Sequence, residues 1–295
     1  MTRALITGIT GFIGGHLASL LLREGWEVAA LVRAESDTAA LDPRIQIHRI
    51  AGEAGGLIEI LHDVRPDIVF HLASLYLTDH TAEQVEDLVA SNVLFPALLA
   101  EAMTATGCRR LVNTGTAWQH FGMSGYNPVN LYAATKQAAL DLLRYHCDAR
   151  ELSLITLELF DTYGRGDPRS KLVQLLIDAA LSGEPLGMSP GEQVIDLTHV
   201  EDVAEAFLVA GRRLLDTDAK LDERFLISGE RLRVRELAQL VGETLGRPMA
   251  VELGARPYRP REVMQPVMPD PHDRLPGWQP RRHLVTELPG LAGAD

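Results

Sequence analysis

The sequence predicts a doubly wound α/β fold: a parallel sheet covered by helices on both faces, with a small C-terminal unit interleaved into it. Three observations lead there. Short apolar runs alternate with longer amphipathic stretches over roughly the first 164 residues, the order of repeated βαβ units. The runs are too apolar to leave one face wet, which implies helices above and below the sheet. A glycine-rich turn follows the first run and opens the first helical stretch.

Taken in order, Ala4–Ile6 reads as a strand and Phe12 to about Arg23 as a helix. Further strands are expected at Glu27–Val32, Arg44–Ile50, Asp67–Leu72, Arg109–Asn113 and Leu154–Phe160, with helices near Ala54–Val64, Ala82–Thr106 and Tyr132–Glu151. After Tyr163-Gly164 the regularity weakens. Lys171–Ser182 reads as a helix, Gly183–Gly191 as a turn-rich linker with Pro185 and Pro190, Glu201–Leu215 as a helix and Arg224–Ser228 as a strand. Val234–Leu245 is a helix ended by Gly246, and the proline-rich remainder is expected to be irregular. Residues 1–164, with about 196–229, are assigned to the cofactor-type sheet; residues 165–195 and 230–295 are assigned to the smaller substrate unit. Open α/β sheets hold ligands beyond the carboxyl ends of their strands, so the smaller unit is expected to close over that edge.

Composition excludes several classes of function. Lys and Arg total 28 against 40 Asp and Glu, a formal charge of −12, which argues against capture of nucleic acid or anionic lipid. The two cysteines, Cys108 and Cys147, do not make a disulfide framework. No uninterrupted apolar run approaches the ~18 residues of a membrane span, and the apolar stretch after Met1-Thr2-Arg3 is too short for a signal-peptide core. The ten histidines show no metal-ligand spacing, so no metal is expected. A cytoplasmic setting is the corresponding expectation.

The turn Thr7-Gly8-Ile9-Thr10-Gly11-Phe12-Ile13-Gly14 suits a dinucleotide pyrophosphate. Gly8, Gly11 and Gly14 permit positive φ and close backbone approach, while free helix N–H groups supply the anion site. About twenty residues on, the second strand ends at Arg33. An acidic residue there would select the ribose 2′-hydroxyl of NAD; an arginine pairs with a 2′-phosphate, so NADP(H) is expected over NAD.

Tyr132-Ala133-Ala134-Thr135-Lys136 puts a phenol and an ammonium one helical turn apart on one face. A nearby cation favours the ionised phenol, which makes the pair suited to acid–base work. At the end of the preceding strand stand Thr114 and Thr116, and a hydroxyl there can hydrogen-bond a substrate oxygen alongside Tyr132. With these residues placed, the chain resembles an extended short-chain dehydrogenase/reductase of the nucleotide-sugar epimerase, dehydratase and reductase group. The pieces that match, in order along the chain, are the glycine turn, Phe70-His71-Leu72-Ala73-Ser74, Asn92, Thr116, Tyr132 with Lys136, Tyr163-Gly164-Arg165-Gly166-Asp167, and His199-Val200-Glu201-Asp202-Val203. The resemblance implies a catalytic triad of Thr116, Tyr132 and Lys136. It also implies cofactor contacts at Gly8, Gly11, Phe12, Ile13, Gly14, Leu72, Ala73, Asn92 and Thr114, and a homodimer pairing the Ala82–Thr106 and Tyr132–Glu151 helices.

Departures from that group narrow the reaction. Dehydratases of the group carry an acid and a base directly after the threonine; here Ala117 and Trp118 stand there, so elimination of water is not expected. Neither cysteine occupies the place a 3,5-epimerase uses. What remains is reduction of a 4-keto group, or 4-epimerisation with retained NAD. The stretches around Thr116, Tyr132 and Leu159–Gly164 are similar to reductases of nucleoside-diphosphate 4-keto-6-deoxyhexoses, with NADPH supplying hydride and Tyr132 the proton. Trp118 follows Thr116 directly and is expected to shape the sugar pocket. Asp161 and Ile195 stand where relatives of the group carry Asn and Arg, so Lys171, Arg169 and Arg259 are the replacement cations for the substrate's diphosphate, and Arg259 aligns with a diphosphate-binding arginine of the group. A non-catalytic NADP-binding sensor or scaffold is the reading of another class, and retention of Tyr132, Lys136 and Thr116 argues against it.

Overall fold

A computed structural model describes residues 1–50, 54–123, 125–169, 171–247 and 249–293. The strands in chain order are β1 (Arg3–Thr7), β2 (Glu27–Arg33), β3 (Gln46–Ile50), β4 (Ile68–His71), β5 (Arg110–Thr116), β6 (Ser153–Leu159), β7 (Asp161–Tyr163), β8 (Leu186–Met188), β9 (Val194–His199), β10 (Asp222–Ile227), β11 (Glu230–Arg233) and β12 (Val251–Leu253). The helices are α1 (Phe12–Arg23), α2 (Ala54–Val64), α3 (Val85–Val89), α4 (Phe95–Thr106), α5 (Leu131–Arg150), α6 (Leu172–Ser182), α7 (Val200–Leu215), α8 (Val234–Thr244) and α9 (Leu284–Leu291). The main sheet has the order β10-β6-β5-β4-β1-β2-β3, parallel throughout. The expected doubly wound architecture, a Rossmann-like sheet, is the one observed.

Residue alternation explains why its strands look apolar from end to end. Ala4, Ile6, Ile68, Phe70 and Val112 belong to a layer with Leu17 and Leu21 of α1 and Phe207 of α7. Their chain neighbours Leu5, Val69 and Leu111 point the other way, into a layer with Leu57 of α2, Leu99 of α4 and Leu140 of α5. Full burial of a leucine or phenylalanine contributes roughly 1.5–3 kcal/mol, so two such layers suffice without a cross-link. Both cysteines are free and buried, and burial pushes each thiol up to about 12, which leaves them unreactive. β1 lies between β4 and β2, so successive connections leave on opposite sides there and open a crevice at the strands' carboxyl ends.

The stretch Ala82–Thr106 is helical throughout, but a π turn at Ala90–Leu94 separates α3 from α4. Pro96 supplies the reason: it has no N–H to return to the Asn92 carbonyl, so the i→i−4 ladder must adjust here. By length and mean hydropathy, 1.5, this helix could cross a membrane, a property that uninterrupted apolar runs do not reveal. In the fold, Leu99, Ala100 and Met103 belong to the core layer.

The C-terminal part is more regular than its composition suggests. β11, β9 and β7 form a three-stranded sheet, and β12 pairs with β8 inside what reads as a turn-rich linker. α9 forms despite Pro289, and its Leu284 and Leu288 pack with Leu176, Ile177, Leu237 and Val241. Strands of three residues carry too few alternations to show a period, which is why sequence reading overlooks them.

Asp202, fully buried at the start of α7, ties this tail to the main sheet. Its carboxylate accepts from the Arg281 and Arg282 backbone N–H groups, each at 2.9 Å, and from the Arg282 guanidinium at 2.6 Å; its carbonyl accepts from Trp278 Nε1. Asp202→Ala removes the carboxylate, leaves the Arg281 and Arg282 donors unpaired, and is expected to lower the unfolding free energy by about 1.5–3 kcal/mol in urea titration.

Candidate active site

The glycine turn is built around contacts too close for side chains. Gly8 has φ +74°, and a Cβ there would stand 2.5 Å from the Ala73 nitrogen and 2.7 Å from the Leu72 carbonyl carbon. A Cβ on Gly14 would lie 2.2 Å from the Gly8 carbonyl oxygen. Gly11 occupies the N-cap of α1 and offers no side-chain acceptor. The first N–H groups of this 12-residue helix, beginning at Phe12, Ile13 and Gly14, therefore lack a capping side chain, as an anion site requires.

The ends of β1 and β4 are locked together beside this turn. The Ala73 N–H donates to Thr7 Oγ1 at 3.2 Å, and the Thr7 hydroxyl passes its own proton toward His71 Nδ1 at 2.8 Å. Burial and the Lys136 charge push His71 down to about 3, so the ring is neutral and can accept there. Thr114 donates to the His71 carbonyl at 2.8 Å, which fixes β5 to the same edge. Asn92, buried in the π turn, accepts from the Leu75 N–H and Ser74 hydroxyl, and donates to the Leu75 carbonyl and Thr135 Oγ1. Its amide is thus engaged by protein on both sides: it braces the loop after Ala73 against α5.

Thr116 ends β5 and caps the next turn, accepting from the Trp118 N–H at 3.3 Å while Gln119 returns to the Thr116 N–H. Asn130 caps α5 through the Ala133 N–H at 3.0 Å, and Tyr132 and Lys136 lie buried in the first two turns. Burial pushes the Tyr132 phenol up to about 12, against the opposing effects of a hydrogen bond with Ser74 and the charge of Arg169. The spacing alone leads one to expect that Lys136 lowers this value. In the fold desolvation outweighs every favourable charge, and Lys136 is itself pushed down to about 8 by its burial. Among the described residues no carboxylate or carbonyl pairs with the Lys136 ammonium.

One aromatic residue that sequence reading misses joins these parts. The Tyr76 ring packs edge-on against Tyr132 with centroids 5.1 Å apart, lies 5.8 Å from Trp118 and carries the Lys171 ammonium over its face at 5.3 Å. Its only signal in the sequence is its place a few residues after the fourth strand. Lys171 pairs with Asp161 at 3.1 Å, and both line a cavity with Gly164, Asp167, Gln174 and Ile195. Arg169, paired with Asp167, lies over Phe12 at 5.0 Å and so bridges the glycine turn and the Tyr132 neighbourhood.

Two expected arginines stand outside this cluster. Arg33 extends into solvent with its side chain 80% exposed and pairs with Glu35 at 3.2 Å. Arg259 is exposed, and no acceptor among the described residues takes its guanidinium. Its neighbour Arg261 is the arginine of that segment that reaches the site's flank, donating to Asn127, Pro128 and Val129 and lying 4.2 Å over the Phe121 ring.

The model of a protein family described as "NAD dependent epimerase/dehydratase family" matches residues 4–220. The chain belongs to that family. It is 27% identical over 270 residues to a CDP-abequose synthase of Yersinia pseudotuberculosis, covering 90% of this chain and 91% of the relative. Among solved structures it is similar to the UDP-glucose 4-epimerase of Thermus thermophilus in complex with NAD, with TM-score 0.82 and 25% identity over 99% of this chain and 98% of that one. It is likewise similar to MoeE5 in complex with UDP-glucose and NAD, with TM-score 0.83 and 28% identity over 99% and 98%. The residues present fit a dinucleotide of the kind the family uses. Gly8 and Gly14 sit where a Cβ would collide with backbone, α1 begins without a capping side chain, and Lys136 is a buried cation awaiting a polar partner.

The glycine contacts carry a stability cost that can be measured. Gly14→Ala is expected to destabilise the protein by about 1–3 kcal/mol, because backbone on both sides must shift to admit one methyl. A thermal melt compared with Gly15→Ala, where the nearest atom would lie 3.7 Å away, provides the check.

Proposed function

We propose that this protein is an NADPH-dependent 4-ketoreductase acting on a nucleoside-diphosphate 4-keto-6-deoxyhexose. The observation that carries this reading is the arrangement at the end of β5: Thr116 leads directly into Ala117 and Trp118, and a buried Tyr132 with Lys136 one turn on follows at the start of α5. Burial pushes the Tyr132 phenol up, so it holds the proton that reduction of a ketone requires. Ala117 and Trp118 bring no acid or base for elimination of water, and the similarity to a CDP-abequose synthase points the same way.

In this reading the bound nicotinamide supplies hydride to C4. Gly8, Gly11 and the first N–H groups of α1 hold the pyrophosphate, with Leu72, Ala73 and Thr114 at the adjoining strand ends. Tyr132 protonates O4, and the Thr116 hydroxyl orients it. Lys136, about nine-tenths charged at pH 7 on a pKa of about 8, holds the ribose hydroxyls. Trp118 and Tyr76 wall the sugar, while Lys171 and Asp161 face its diphosphate side and the exposed Arg259 offers a further cation from outside this cluster. A second reading, 4-epimerisation with NAD, is favoured by the similarity to a UDP-glucose 4-epimerase and by Glu35 beside Arg33, where a carboxylate suits a ribose 2′-hydroxyl better than a phosphate.

The deciding measurement is loss of reduced-nicotinamide absorbance with NADPH, and separately with NADH, on adding such a ketosugar. The expected result is net oxidation with NADPH preferred. Tyr132→Phe should then lower kcat by roughly 10²–10⁴-fold at an unchanged melting temperature. Interconversion of C4 epimers without net oxidation would assign the epimerase instead.

We also propose a homodimer formed through the long helices. Val85, Val89 and Leu94 on one, and Leu142 and Tyr145 on α5, are exposed apolar side chains. Leu142→Arg is expected to convert a dimer to a monomer in light scattering, without loss of secondary structure.

A further inference from the structure

We propose that His120 is a positioning residue for this site: held as an imidazolium between the Gly125 carbonyl and the Glu158 carboxylate, it locks the turn carrying Thr116 and Trp118 to the segment that leads into Tyr132. The inference rests on the reading of Thr116 and Tyr132 as the reacting pair, and extends it to a residue that touches neither substrate nor cofactor.

The geometry favours the charge. His120 Nε2 lies 2.7 Å from Glu158 Oε2, and Nδ1 faces the Gly125 carbonyl oxygen in a second short contact. The Gly125 carbonyl can only accept, and so can Glu158 when it is ionised. A neutral imidazole has a single N–H and would then turn a lone pair on an oxygen; with Glu158 ionised, the doubly protonated ring satisfies both. The pair is closed off from solvent, since the His120 side chain is 6% exposed and that of Glu158 0%. Burial works against the imidazolium, but the hydrogen bond and charge of Glu158, with the Gly125 carbonyl, outweigh it and hold the ring's pKa above that of an ordinary histidine. Arg224 on β10 is the cation facing the pair. It lies 3.7 Å from Glu158 Oε1, which accepts no hydrogen bond among the described residues, and acts to lower the His120 value; Asp273 stands 3.8 Å behind it.

The pair sits directly beneath the site. Glu158 on β6 is opposite Gly115 on β5, where a Cβ would come within 2.8 Å of the Glu158 Cγ. Glycine at 115 therefore admits the glutamate stem under the strand end that carries Thr116. Above it, the Val129 N–H donates to Trp118, the Asn127 N–H to Gln119 and the Phe121 N–H to Asn127, each between 2.7 and 2.8 Å. His120 is the side chain at the centre of this short ladder, whose other strand runs on into Asn130, the cap of the Tyr132 helix. Loss of its proton sets an imidazole lone pair against a buried carboxylate and loosens the ladder.

The experiment is nitrogen-15 NMR of the full chain, with the His120 ring assigned by His120→Gln and the Trp118 indole N–H by Trp118→Phe. The expected result is a ring protonated at both nitrogens at pH 7, and a Trp118 resonance that titrates at higher pH with the His120 midpoint. In Glu158→Gln an amide can donate to a neutral Nε2. The His120 midpoint is then expected to fall by at least about one pH unit, and the pH profile of kcat to lose the step at the wild-type midpoint. A neutral ring at pH 7, a Trp118 resonance indifferent to His120, or an unchanged step in Glu158→Gln would overturn the proposal. The NMR arm needs no substrate and should be the same in Tyr132→Phe, so failure of the ketosugar reaction would be told apart from failure of the clamp.

Discussion

The absence of a side chain at Gly8 is the constraint on which the rest of the site depends. Because the β1 turn can lie against the Leu72-Ala73 backbone, the Thr7 hydroxyl reaches both Ala73 and His71, and two strand ends become one rigid edge. The loop leaving that edge carries Ser74, Leu75 and Tyr76. Asn92 grips Ser74 and Leu75 on one side and Thr135 on the other, one turn along from Tyr132. A displaced Gly8 would thus be felt at the phenol through four consecutive contacts, none of them made by a flexible surface group. The π turn belongs to the same chain of causes, since Pro96 distorts the helix where Asn92 must point inward.

Desolvation decides the electrostatics. Tyr132 and Lys136 are close in sequence and both buried, yet the ammonium does not appear among the charges that lower the phenol; loss of water acts on each more strongly than either acts on the other. The result is a proton kept on the tyrosine and a lysine that still carries charge at neutral pH without a carboxylate beside it. His120 and Glu158 show the opposite solution a short distance away: there the charge is buried with its partner, and the pair serves geometry.

How much of this can be read from sequence follows from the range over which each signal acts. The glycine turn, the alternation of runs and the Tyr132–Lys136 spacing are local patterns, and the parallel sheet with helices on both faces that the alternation predicts is the one found. Asn92 stands out by resemblance, but its four hydrogen bonds depend on a helix distortion and on residues 17, 18 and 43 positions away. Tyr76, Glu158 and Arg261 have no local signature; their roles come from what the fold brings beside them. Glu158 in particular reads as one more polar residue in an apolar strand until His120 is placed against it.

Three paired cations show how so acidic a chain can still carry positive charge locally. Lys171, Arg169 and Arg33 each enter already paired, with Asp161, Asp167 and Glu35. These pairs differ in what it takes to part them. An exposed pair such as Arg33–Glu35 is worth about 0.2–1 kcal/mol and yields readily to a phosphate. Asp167, its side chain 7% exposed, holds Arg169 through two hydrogen bonds of 2.6 and 2.7 Å and keeps that guanidinium over Phe12. The first arginine is free to follow a ligand, and the second is fixed in advance as part of the wall. The main-chain N–H groups at the start of α1 differ from both, since no side chain caps them and no ion pair must be parted to free them. A net charge of −12 opposes binding only over distances that salt screens.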